Sequence, residues 1–171
     1  TNTITLGTGT FTVTGNVSDV DALAGTTASG VDTLVVTDTA AAINTANFGT
    51  GNIANVDTIN GGSAGSALSL DASELGTNTI TLGTGTFTVT GNVSDVDALA
   101  GTTASGVDTL VVTDTAAAIN TANFGTGNIA NVDTINGGSA GSALSLDASE
   151  LGTNTITLGT GTFTVTGNVS D

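Results

Sequence analysis

Short runs of alternating apolar and polar residues mark the chain. Thr3-Ile4-Thr5-Leu6, Asp32-Thr33-Leu34-Val35-Val36 and Asp57-Thr58-Ile59 each put every second side chain on one face. A period of two predicts strands with one face inward and the other toward solvent. Thr10-Phe11-Thr12-Val13-Thr14 and Ala67-Leu68-Ser69-Leu70-Asp71 predict two more strands. Gly-rich and Asn-rich stretches between the runs predict turns. Short helical segments are expected beside them: Ser18 with Asp21, and Asp71 with Glu74, have the spacing of a capping box. Thr37 or Asp38 is placed to cap the Ala-rich stretch Thr39–Phe48.

The pattern repeats. Residues 1–76 recur unchanged at 77–152, and 153–171 begin a third copy. Long-range self-similarity implies stacked units that bury their apolar faces against one another. Val31-Asp32-Thr33-Leu34 returns within the copy as Val56-Asp57-Thr58-Ile59 and, more weakly, at the start of the next copy as Thr77-Asn78-Thr79-Ile80. This divides the copy into coils 1–30, 31–55 and 56–76, with Leu34, Ile59 and Ile80 in one column. Four coils of equal length would instead put Leu6, Gly25, Asn44 and Ser63 in a column, which mixes residue types. The expected fold is therefore all-β: a parallel β-solenoid with short helical turns and about three coils per copy. It would run continuously through 1–76, 77–152 and 153–171, as part of a longer protein or filament. At one strand spacing per coil, each copy would rise roughly 14–15 Å.

Composition narrows the function. The 171 residues hold fifteen carboxylates and no Lys, Arg or His, for a net charge of −15. Nucleic acid and anionic membranes are excluded as partners, because neither binds without cationic side chains. With no Cys and no His, thiol chemistry, structural zinc sites and a Ser–His–Asp nucleophile are excluded as well. Only five Phe supply aromatic bulk, so the core is expected to be a thin aliphatic stack.

Stacking would turn motifs into ladders. In the coil alignment Asp32 sits beside Asp57, with Asn78 next. Like charges one strand apart repel, and a bound cation would neutralise them. Carboxylate and carbonyl oxygens suit Ca²⁺. The candidate calcium positions are Asp19, Asp21, Asp32 and Asp57, with their copies Asp95, Asp97, Asp108 and Asp133. The plainer reading is that these Asp residues cap helices and solvate the surface. The rows Thr1-Thr3-Thr5 and Thr8-Thr10-Thr12-Thr14 resemble an ice-binding array, but coils two and three carry no matching row of alternating Thr. Asn60-Gly61-Gly62-Ser63-Ala64-Gly65 approaches the calcium nonapeptide but has Ala64 where Gly is required. Asp19 with Asp21, or Asp71 with Glu74, would be the acid–base pair of a carbohydrate-active enzyme. A catalytic site copied unchanged in every repeat is a poor reading, so no catalysis is expected.

The segments Val31–Ile43, Asn55–Ile59 and Leu68–Leu75 resemble repeats of very large secreted bacterial surface proteins: adhesins, S-layer proteins and calcium-binding proteins exported by type I secretion. The resemblance implies an extracellular, often calcium-stabilised β-solenoid. The chain lacks an intact nonapeptide, so no binding residue of such families carries over. The expected function is a structural segment of an extracellular filament, stalk or adhesin. The alternative is a calcium-ordered S-layer or adhesive module. Self-association end to end or side by side is the expected partnership.

Overall fold

The computed structural model describes residues 4–28 and 30–168. Thr1 and Thr3 of the N-terminal Thr row, and Asp171, lie outside the described residues. The first copy runs β1 (Thr12–Gly15), α1 (Val17–Asp21), α2 (Gly25–Ala28), β2 (Thr33–Asp38), α3 (Ala40–Ile43), a 3₁₀ turn (Asn52–Asn55), β3 (Thr58–Gly61), β4 (Ala67–Asp71) and α4 (Ala72–Leu75). The second runs β5 (Thr81–Leu82), β6 (Thr86–Gly91), α5 (Val93–Ala98), α6 (Gly101–Ala104), β7 (Thr109–Asp114), α7 (Ala116–Ile119), a 3₁₀ turn (Asn128–Asn131), β8 (Thr134–Gly137), β9 (Ala143–Asp147) and α8 (Ala148–Leu151). β10 (Thr157–Leu158) and β11 (Thr162–Thr166) follow.

The expected all-β solenoid is not what forms. The chain is mixed α/β, with short helices between parallel strands in three separate, open sheets. Their strand orders are β1-β2-β3-β5, β4-β6-β7-β8-β10 and β9-β11. Two local causes account for this. First, polar caps start a helical turn where a strand ends. Asn16 accepts from the Asp19 N–H at 2.8 Å, and its own amide donates to Asp19 Oδ2 at 2.8 Å. Thr39 caps α3 through the Ala42 N–H, and Asp71 caps α4 through the Ser73 N–H. Asp71 caps α4 as its spacing predicts, but the other two caps are displaced: Asn16 with Asp19 replaces Ser18 with Asp21, and Thr39 replaces Thr37 or Asp38. Satisfying an orphan helical N–H in this way stabilises one turn by about 1 kcal/mol.

Second, a glycine corner splits each strand pair between sheets. β3 pairs with β5, whereas β4, six residues further along the chain, pairs with β6. The corner is tight. A Cβ on Gly61 would lie 2.8 Å from Ser66 Cβ and 3.0 Å from both Leu68 Cδ1 and the Thr84 carbonyl oxygen. One sheet thus ends at β5 while the next continues through β6, and the handover recurs at β10 and β11.

The register also differs from the motif alignment. Val36 faces Ile59 and Ile59 faces Leu82, while Leu34 faces Val13. The expected column of Leu34, Ile59 and Ile80 is displaced by two residues at each step. An even slip keeps every inward residue inward, because side chains alternate with a period of two. The core assignment therefore survives the error in register. Leu34, Val36, Ile59, Phe87, Val89, Val112 and Ile135 are all buried, joined by Val20, Ile43, Phe48 and Leu75 from the helices and loops. Each such side chain contributes about 1.5–3 kcal/mol on burial.

Two buried polar residues tie strand entrances to the helical side. Thr103, fully buried, accepts from the Ile80 N–H at 2.9 Å and donates to the Asn78 carbonyl at 3.0 Å. Thr27 accepts from the Ile4 N–H at 3.0 Å and donates to the carbonyl of the same residue at 3.1 Å. Thr103→Val keeps the shape and removes both bonds. It is expected to lower unfolding stability by about 1–3 kcal/mol, the cost of stranding buried backbone groups. Urea denaturation followed by circular dichroism reads this directly, and an unchanged midpoint would contradict it.

Candidate functional site

The candidate Asp residues occupy three kinds of position. Asp32 and Asp57 stand one residue before β2 and β3. Each grips a single residue of the preceding layer twice. Asp32 Oδ2 accepts from the Phe11 N–H at 2.7 Å, and the Asp32 N–H donates to the Phe11 carbonyl at 3.0 Å. Asp57 does likewise with Leu34, at 2.7 and 2.9 Å. The second copy repeats both clamps: Asp108 on Phe87, and Asp133 on Leu110, each with its carboxylate at 2.8 Å. The expected ladder of Asp32, Asp57 and Asn78 does not form. Asp57 lies opposite Leu34 rather than Asp32, and Asn78 instead donates to the Ala54 carbonyl at 3.1 Å.

Asp19 and Asp95 belong to helix caps, closing the reciprocal bonds with Asn16 and Asn92. Asp21 and Asp97 pack their carboxylates over Gly51 and Gly127, whose φ values are +70° and +68°. A side chain there would be strained by its backbone and would collide with the carboxylate. The Asp21 and Leu23 carbonyls both accept from the amide of Asn52, at 2.9 and 2.6 Å.

The alignment by motif missed the other members of this set. Asp38 accepts from the Val17 N–H at 3.0 Å and from the Thr39 N–H at 2.7 Å, so it joins a neighbouring layer to the start of α3. Asn44 donates to the Ala67 carbonyl and accepts from the Ser69 N–H, bracketing β4. Asn60 spans three layers. It donates to Thr37 Oγ1 at 3.4 Å and accepts from the Thr84 N–H at 3.1 Å. The available signal was separation: each of these side chains lies 21 to 25 residues from a backbone or hydroxyl group it serves.

The proposed acid–base pairs are committed elsewhere. Asp71 Oδ1 accepts from both the N–H and the hydroxyl of Ser73, and Glu74 accepts from the Phe48 N–H at 3.4 Å. Both line an open cavity of about 310 Å³ with Asn44, Asn47 and Thr90. Among the described residues, no three acidic side chains come together to hold a metal ion. The eight candidate Asp residues are spread over separate clamps, caps and glycine contacts. No buried side-chain nitrogen or oxygen among the described residues lacks a hydrogen-bond partner.

No protein-family model, curated protein or solved structure matches this chain.

The Ser149 hydroxyl and, secondarily, its backbone N–H hold Asp147 below the usual aspartate value. A depressed folded-state value means the cap's contribution is present above the unfolded value and is lost as pH falls through the folded one. Carboxyl chemical shifts of Asp147 should titrate at lower pH in the parent than in Ser149→Ala, and coincident curves would contradict the assignment. Asp57→Ala leaves the Leu34 N–H without its acceptor and should cost about 1–3 kcal/mol. Asp57→Asn keeps an acceptor oxygen and should cost clearly less. Equal losses in the two variants would show that charge, rather than the hydrogen bond, is what matters.

Proposed function

We propose that the chain is a structural repeat segment of an extracellular filament, stalk or surface adhesin, and that it acts through length and regularity rather than catalysis. The observation that carries this reading is the recurrence of the interlayer clamps. Asp32 on Phe11 returns as Asp108 on Phe87, and Asp57 on Leu34 returns as Asp133 on Leu110. The polar side chains that a binding or catalytic site would use are spent on holding one layer to the next. Absence of Lys and Arg also removes every trypsin cleavage site, which suits exposure outside a cell.

The same reading includes self-association end to end. Side-by-side contact is opposed by the uncompensated negative charge until salt screens it.

Arrays carrying increasing numbers of the 76-residue copy test the proposal. Contour length by electron microscopy should grow linearly with the number of copies. Particles that stay globular as copies are added would overturn it. Calcium-ordered folding is tested alongside. At matched ionic strength, thermal melts in calcium and in chelator should coincide; a strand signal that appears only with calcium would favour the calcium-ordered module.

A further inference from the structure

We infer that Asn60-Gly61, with its copy Asn136-Gly137, is a conformation-gated modification site: the stacked fold protects the amide from deamidation, and opening a layer lets it convert irreversibly. Asn-Gly occurs once in each complete copy and nowhere else in the chain. The reaction needs only water. The glycine nitrogen loses its proton and attacks Asn60 Cγ; the Cγ–Nδ2 bond breaks and ammonia departs, leaving a five-membered imide. Water then opens the imide at either carbonyl. One route gives aspartate. The other gives isoaspartate, in which the main chain runs through Cβ and Cγ. Glycine favours the attack because no side chain shields its nitrogen.

In the folded chain both reacting groups are held. The Gly61 N–H donates to the Thr84 carbonyl at 2.5 Å, which occupies the nucleophile. The Asn60 amide is fixed between Thr37 below and the Thr84 N–H above. β3 is paired on both sides, with Asn60 opposite Thr37 and Ile59 opposite Leu82. The second copy repeats the arrangement: Gly137 donates to the Thr160 carbonyl at 2.6 Å, and Asn136 joins Thr113 to the Thr160 N–H. Attack therefore requires β3 or β8 to leave its neighbours, an opening of the kind that exposes amides to exchange.

The two products have different consequences. Aspartate at position 60 still accepts from the Thr84 N–H, and the Thr37 hydroxyl can rotate to donate to it. Isoaspartate inserts a carbon into the main chain just before the Gly61 corner, where Ser66, Leu68 and Thr84 leave no slack. It displaces β4 from its register with β6. Each Asn-Gly is thus a one-way record of layer opening. This inference is independent of the filament proposal.

The test incubates the full chain at neutral pH and elevated temperature, folded and in denaturant, with circular dichroism verifying each state. Peptide mass spectrometry counts amide-to-acid conversions. Conversion at Asn60 and Asn136 should be at least about tenfold faster in the opened chain, and ahead of every other Asn. A smaller ratio, or faster conversion elsewhere, would overturn the inference. A double variant, Asn60→Asp with Asn136→Asp, should fold and melt near the parent, while the chain aged in denaturant should not regain a cooperative melt. A double variant that behaves like the aged chain would overturn the assignment of the damage to isoaspartate.

Discussion

Everything in this structure rests on satisfying the backbone at the entrance to each strand. A parallel ladder bonds the groups inside it, but the residue at its mouth has an N–H facing the next layer with no ladder partner. Buried or half-buried, such a group is costly unless bonded. Here the next layer supplies the acceptor from a side chain: Asp32 for Phe11, Asp57 for Leu34, Thr103 for Ile80. Each acceptor stands on the chain one layer onward, so the bond that completes one strand also sets the position of its successor. The inward rows then close over a narrow aliphatic core. Packing supplies most of the stabilisation, and the clamps choose the register in which that packing occurs.

This division of labour explains what was legible in the sequence. Alternation in Ala67–Asp71 placed β4 with its observed bounds, and it separated inward from outward residues in β2, β3 and β4, though not at Ile4, which is exposed outside any strand. Copying over 76 residues was plain. Motif matching failed for register, because Val31-Asp32-Thr33-Leu34 and Val56-Asp57-Thr58-Ile59 look alike for a reason other than facing each other. Both are strand entrances carrying the same clamp, and each clamp reaches backward to a dissimilar partner. Likeness along the chain reported a shared role and not a shared row. The all-β reading failed at the caps. Four-residue helices such as Ala72–Leu75 have too few residues for a helical period to show, and they exist because Asp71 or Asn16 satisfies an N–H at their start.

The same argument bears on the acidic residues. A chain with fifteen carboxylates and no cation invites an explanation by metal binding. Geometry gives many of them another role. A carboxylate carries only acceptors, so at a strand entrance it meets a lone N–H without bringing a donor that would need a partner of its own. Asn serves where both a donor and an acceptor are wanted, as Asn44 and Asn60 show. The net charge follows from a backbone requirement repeated many times.

The handover between sheets has a mechanical meaning. At the layer of β5 and β6, one sheet terminates and the next is already under way through β4. Hydrogen-bonded strands therefore overlap like lapped planks, and no single ladder runs the length of the molecule. A crack that starts between two strands can travel along its own sheet, but at the lap it meets a second sheet on another face that must be opened separately. Toughness in such a body comes from the staggering of its seams, and the glycine corner at Gly61 is where each seam is offset.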